Sequence, residues 1–506
     1  MTDSTPMGEK PGRRTMNYTV EAERGRAPLP PTMRLWGFWE YTWANAALAI
    51  ATWGFLIGGT LALVTDVAHG LIAIVTGNVL GVLLVSLAVS VSAGKYGTEQ
   101  YTFMRSVFGH NGSRLIYIVA MVLLTVGWLV VLGIMFGRSI DSAWAVLAQR
   151  DADPDAGYIS VITIGAIALT SFIVAKGPTS IRVFNMIVAP ALILVMGFMI
   201  YLFVADSSIS ELLSLPALSH PFDSDAINFM IAVEINIAAG FSWWPYIGNL
   251  SRITKNERTA FWPNLIGIGL AACLGEAVGL IGAVKYGNAD PTQWMAQAGG
   301  VWLSAVMLLF VAFANVTSMA NILYTAVVGL RQMFESLFRK FTWEWMVVAF
   351  CVVPVVVMFI VPGLYDGFMT FLVWTASLYS TLTGIMIIDY FILRKQRVDL
   401  QNLFVEGRSS IYYFTGGFNV AAMLAMLIGV ALFTVTFNPI SFAHTSYFEY
   451  TTASLLAAVG AGIVYWVASV TYILPRGLGG YPTLNNQFKE LSDRDSDDVR
   501  CLPNRP

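Results

Sequence analysis

The chain has 506 residues, 56% hydrophobic and only 12% charged, with a formal net charge of −2; an average soluble domain carries about 25% charged residues. Its mean hydropathy of +0.66 is more apolar surface than a soluble core hides, because large cores split into domains instead of growing. Composition therefore points to a bilayer. It gives no footprint for nucleic acid, and three scattered cysteines, Cys273, Cys351 and Cys501, make neither a disulfide framework nor a metal site.

Residues 1–34 read as a disordered cytoplasmic tail, rich in Pro and Arg and without the apolar stretch of a signal peptide. A membrane helix needs about 20 mostly apolar residues, and twelve segments qualify. In chain order they are α1 (35–62), α2 (67–93), α3 (115–140), α4 (157–176), α5 (182–205) and α6 (227–250). Then come α7 (261–284), α8 (300–329), α9 (343–361), α10 (367–392), α11 (413–437) and α12 (451–474). Residues 475–506 form a second polar tail. The expected domain is thus a multi-pass transmembrane unit over 35–474 in the plasma membrane.

Orientation follows from the basic residues. With both tails cytoplasmic, all but Arg138, Arg150 and Lys285 of the 29 Lys and Arg fall on the cytoplasmic side, as the positive-inside rule demands. The outer loops carry Asp151, Asp153, Asp155, Asp206, Glu211, Asp223 and Asp225 instead.

Two spans contain helix-weakening residues at bilayer depth. In α1 these are Gly54, Gly58 and Gly59; in α6 they are Gly240, Pro245 and Gly248. Pro inside a helix costs about 3 kcal/mol and removes a backbone hydrogen bond. In lipid that loss is tolerated only where the freed groups face protein, water or ligand. Interrupted helices in matching positions of two halves are the mark of an inverted-repeat transporter. The predicted fold is all-α: about twelve transmembrane helices, a 5+5 inverted repeat over about 35–205 and 227–392 with broken α1 and α6, plus two extra helices over 413–474. Close helix packing is the competing reading of the glycines.

Five segments carry a family likeness: Trp43-Ala-Asn-Ala-Ala-Leu-Ala-Ile-Ala-Thr-Trp53; Gly94-Lys-Tyr-Gly97 with Arg105-Ser-Val-Phe-Gly109 and Gly112-Ser113; Ser242-Trp-Trp-Pro245 with Ser251-Arg252; Thr317-Ser318 with Asn321-Ile-Leu-Tyr324; and Asp389-Tyr-Phe391 with Arg394-Lys395. In this order and on these helices they resemble the nucleobase–cation symporters, the family of cytosine, uracil, allantoin and hydantoin permeases. The resemblance spans about residues 35–400 and implies the LeuT-type inverted-repeat fold.

On α8, Ala314, Thr317 and Ser318 stand at i, i+3 and i+4, which puts one carbonyl and two hydroxyls on one face. Uncharged oxygens suit a hard monovalent cation. The resemblance adds the backbone carbonyls of Asn45 and Leu48 in α1, implying a Na+ site of five groups. Hydroxyls bonded back to their own helix are the alternative.

Trp128 lies in the middle of α3, whereas membrane tryptophans usually sit at the interfaces. The resemblance implies that this ring and an aromatic of α6 sandwich a flat, polar-edged heterocycle. Trp243 is the first choice, with Trp244 and Phe241 open; an aromatic simply packed between helices is the plain reading. Leu132, Ala49 and Met319 stand where relatives often have polar groups, so ring-edge recognition falls to Asn321, one turn beyond Thr317, or to backbone.

Glu234 in α6 and Glu276 in α7 are carboxylates at bilayer depth, costly and usually functional. They offer H+ as the alternative coupling ion, or a structural pair. Asp389, near Arg394 and Lys395, reads as an anchor. No set of catalytic side chains at one depth supports an enzyme, no repeated pore lining supports a channel, and no G-x-x-x-x-G-K-[ST] supports an ATP-driven pump. The expectation is a monomeric secondary carrier whose partners are a small heterocycle and the lipid bilayer.

Overall fold

The computed structural model describes residues 28–34, 36–49, 52–338 and 340–482. Among the described residues, the bilayer-depth segments are helical apart from short turns. Among the described residues, nine helices are long and apolar enough to cross a membrane. They are α2 (Val67–Tyr96), α3 (His110–Ala148), α4 (Tyr158–Ala175), α6 (Asp225–Ser251), α7 (Glu257–Tyr286), α8 (Gly300–Met333), α9 (Trp343–Ile360), α10 (Phe368–Leu393) and α12 (Ala453–Arg476). The twelve are completed by α5 (Pro178–Asp206), α11 (Val420–Thr436) and α1, described over Phe38–Ala49 and Trp53–Leu61.

Local chemistry sets the ends. Asp66 accepts from the His69 amide at the start of α2, Asn256 from Thr259 at the start of α7, and Thr452 from Leu455 at the start of α12; each satisfies an amide that has no intrahelical partner. α2 and α7 end on Gly97 and Gly287, both left-handed, the conformation glycine adopts without strain.

The helices sort into two groups. α1, α2, α6 and α7 pack on one another, and α3, α4, α8 and α9 form a second group. α5 lies along α7 and α8, and α10 packs against α6, α11 and α12. The pairing is reciprocal: α1 meets α7 as α6 meets α2, and α4 meets α8 as α9 meets α3. Exchanging helices 1–5 for 6–10 leaves this pattern unchanged, as an inverted repeat requires. Outer helices show apolar side chains to the surroundings, Val161 and Phe172 on α4 and Val352 and Phe359 on α9.

The glycines of α1 have a different role from the expected one. Gly54 and Gly58 lie within the regular helix Trp53–Leu61. A Cβ on Gly58 would lie 2.0 Å from the Glu276 carbonyl oxygen of α7. Gly81 of α2 is matched in the same way to α6, where a Cβ would meet the Ile237 carbonyl oxygen at 2.7 Å. Small residues here let backbones touch, the usual source of helix association in lipid.

Candidate functional site

The turn of α6 faces the start of the α1 helix Trp53–Leu61. The first stretch of α6, α6a (Asp225–Phe241), stops at a turn through Ser242 and Trp243, and α6b (Trp244–Ser251) resumes with Pro245 in its first turn, where a missing amide costs nothing. Trp243 sits in the turn and Trp53 opens the second piece of α1; their rings meet edge to face at 5.7 Å. A loop residue holds α6b in place. The Gln100 side chain donates to the Trp244 carbonyl (2.7 Å) and accepts from the Gly248 amide (3.2 Å), spanning an i to i+4 pair of the α6b ladder. Beside it Glu99 is wholly buried, which pushes its carboxyl up against the pull of the Tyr101 and Thr102 amides.

The three aromatic candidates of α6 are placed differently. Phe241 is fully buried in the core. Trp244 is fully buried and stacks on Tyr379 of α10 at 5.5 Å. Trp243 is half-buried. Trp128 is 6% exposed and stands edge to face with Phe368 (5.4 Å) and Phe371 (6.0 Å) of α10. Neither Trp128 nor Trp243 has a partner for its indole N–H. Leu132, one turn along α3, is buried. Phe368 and Phe371 escaped the sequence reading, although their i, i+3 spacing at the start of α10 marks one aromatic face.

Thr317 bonds back to its own helix, its Oγ1 donating to the Ala314 carbonyl at 2.7 Å. This is the alternative stated above, yet it also sets two of the expected oxygens side by side, and the Thr317 oxygen keeps its lone pairs. Ser318 is half-buried on the next position. Ala314 is wholly buried against Val188 and Leu192 of α5. The half-buried Asn321 donates to the Thr317 carbonyl at 2.8 Å. On α1, Leu48 lies in the last turn of the described stretch Phe38–Ala49 and is half-buried. Asn45 lies a turn earlier, and its side chain points to α7, donating to Asn264 Oδ1 at 2.8 Å.

A link between α1 and α8 was not anticipated. Thr52, the residue before the helix Trp53–Leu61, donates to Asn315 Oδ1 at 2.5 Å, and Asn315 follows Ala314 directly. An amide in an apolar stretch beside expected ligands was the available signal. Among the described residues, no three His, Cys, Asp or Glu side chains gather for a metal, so a cation here would rely on neutral oxygens.

The buried carboxylates differ from one another. Glu234 accepts from the Ser454 hydroxyl and from the Ser454 amide at 3.2 Å, in the first turn of α12, where helix dipoles favour an anion. Glu276 accepts from Asn78 Nδ2 at 2.6 Å, which also faces Asn236 Oδ1 at 3.2 Å. Asp389 is an anchor: buried, it pairs with Arg394 at 2.7 Å and accepts from Tyr465 and Tyr481. The three basic residues that break the positive-inside pattern are each paired. Arg138 reaches Asp366 (2.9 Å) and Asp290 (3.0 Å), Arg150 binds Asp141, and Lys285 faces Asp206 at 3.9 Å.

Residues 28–469 match the model of a family described as permeases for cytosine/purines, uracil, thiamine and allantoin. The chain is 27% identical to a hydantoin permease of Microbacterium maritypicum, over 77% of this chain and 79% of that protein. It is 22% identical to a purine-uracil permease, NCS1, of Arabidopsis thaliana, over 87% and 76% of the two chains. Its fold is that of Mhp1 in its inward-facing conformation, with a TM-score of 0.73 at 21% identity over 90% of this chain and 94% of that one. A closed Mhp1 with bound bromovinylhydantoin gives 0.66 at 23% identity, covering 88% and 96%.

Proposed function

The chain belongs to the family of permeases for cytosine/purines, uracil, thiamine and allantoin, and from that premise we propose that it imports a nucleobase-like nitrogen heterocycle by Na+ symport. It is a multi-pass membrane transporter and not an enzyme. In this reading it works in the plasma membrane as a monomer, with both termini cytoplasmic.

The observation that carries the reading is the Thr52–Asn315 bond. α1 belongs to one helix group and α8 to the other. An ion held by Leu48, Asn45, Ala314, Thr317 and Ser318 fixes the two groups relative to each other, and so selects one conformation. The heterocycle lies between Trp128 of the second group and Trp243 of the first, with Asn321 at its edge. Each ligand favours the same arrangement, and the resulting coupling is reciprocal. Two indole donors without partners suit a ring with carbonyl acceptors. The rest of the pocket is apolar, with Leu132 and Met319 buried, which favours a heterocycle with a non-polar substituent.

The test is a thermal-stabilisation screen of the purified chain with cytosine, uracil, hypoxanthine, allantoin and bromovinylhydantoin, each in Na+ and in choline. Stabilisation by at least one ring, larger in Na+, is expected. A chain indifferent to every ring in both salts contradicts the reading.

A further inference from the structure

We propose that Glu276, with Asn78 and Asn236, is a proton-binding site inside the α1/α2/α6/α7 group, separate from the Na+ set. The inference rests on the carrier reading above and adds a second ion to it.

All three side chains are fully buried. Asn78 Nδ2 is shared among three acceptors, the Ile74 carbonyl at 3.1 Å, Asn236 Oδ1 at 3.2 Å and Glu276 Oε2 at 2.6 Å. Asn236 spends an N–H on its own helix, at the Ala232 carbonyl. Among the described residues, Glu276 Oε1 and Asn78 Oδ1 have no partner. The cluster is therefore short of donors. A proton on the carboxyl group supplies one, and turns a buried charge into a group that apolar surroundings tolerate. A metal ion is a poorer occupant, because the amide donor already occupies the space between the oxygens.

No charge nearby removes that need. Glu234 is turned to α12. On α2, His69 pairs with Asp66 at the outer end, and Lys285 faces Asp206 of α5 at the outer end of α7. The titratable neighbour within α7 is the Cys273 thiol, bonded to the Gly269 carbonyl. α1b, Trp53–Leu61, brings no titratable side chain.

Position supplies the route for exchange. A Cβ on Gly54, two residues past Thr52, would lie 3.3 Å from the Glu276 amide. The helix Trp53–Leu61 thus lies directly against Glu276, and its displacement relative to α7 opens the carboxyl to water. The step is a simple exchange: the carboxylate takes a proton from water on one side and returns it on the other.

The experiment uses the full chain in liposomes holding the pH dye pyranine, with equal Na+ on both sides. Radiolabelled hydantoin, uracil and cytosine are the probes. With one co-transported proton, an inside-alkaline gradient of one pH unit drives about tenfold accumulation in the native chain. Glu276→Gln is expected to keep solute exchange but lose both accumulation and lumenal acidification. Glu276→Asp, which keeps a carboxyl, should retain part of both. An infrared arm needs no solute: the native protein should show a protonated-carboxyl band that fades as pH rises and is missing in Glu276→Gln. Equal accumulation in Glu276→Gln, or a carboxyl band insensitive to pH, overturns the proposal. A native chain that exchanges none of the probes contradicts the carrier reading instead, and the infrared result still decides Glu276.

Discussion

Thr52 of α1 is joined to Asn315 in the middle of α8, with the hydroxyl 2.5 Å from the amide oxygen. The bond crosses between the two helix groups, so it exists only while they hold this relative position. A change that removes it should free the groups without touching either ligand site directly.

Thr52→Val keeps the shape and drops the hydroxyl. It leaves Asn315 Oδ1 buried without a donor, at a cost of about 1–3 kcal/mol. Thermal stability should fall accordingly, and Na+ should stabilise the variant less than the native chain. A thermal shift titrated with Na+ reads both quantities. Native Na+ response in Thr52→Val would remove the bond from the coupling path.

Trp128 separates stacking from packing. Trp128→Ala opens a cavity beside Phe368 and Phe371, so weaker binding alone is ambiguous. Trp128→Phe keeps a π face and loses the indole N–H; an aromatic pair is worth about 0.5–1.5 kcal/mol beyond area burial. Uptake should vanish in the alanine variant and persist in part in the phenylalanine variant. Stabilisation by Na+ should survive in Trp128→Phe. Normal affinity in Trp128→Ala would show that the ring packs α3 on α10 and does nothing more.

Glu234 should behave as a structural group. Glu234→Gln exchanges a charge-assisted contact at the first turn of α12 for a neutral one, a loss of about 0.3–2 kcal/mol. A lowered melting temperature with unchanged Na+ response and unchanged pH response is expected. Loss of transport at full stability would make Glu234 part of the ion path.

Topology has its own check. A reporter fused after Pro506 should read as cytoplasmic, and a cysteine introduced at exposed Asp155 should be labelled from outside by an impermeant thiol reagent. The outer ion pairs explain how Arg138, Arg150 and Lys285 stand apart from the positive-inside pattern: each has a carboxylate partner. Labelling of that cysteine only after permeabilisation inverts the orientation.

Hydropathy located the spans because lipid demands a fixed apolar length, and Pro245 with the tryptophans flagged the α6 turn. Asp389 and Arg394, five residues apart, could be read as an anchor from spacing alone. The Thr52–Asn315 link, 263 residues apart in sequence, and the Phe368–Trp128 contact could not, since nothing local records which distant helix faces them. Gly54 and Gly58 misled for a related reason. Glycine weakens a helix and also admits a neighbouring backbone, and only the position of Glu276 tells which use applies.

The central claim is that Na+ and the heterocycle act on one conformation through α1 and α8. Quenching of tryptophan fluorescence by the stabilising ring, titrated in Na+ and in choline, tests it directly. In the native chain Na+ should tighten ring binding by about 5–150-fold, the usual range of coupling free energies. In the Thr317→Ala, Ser318→Ala double variant, affinity should be weak and the same in both salts. Equal affinity in Na+ and choline for the native chain, or a full Na+ effect in the double variant, would contradict the account.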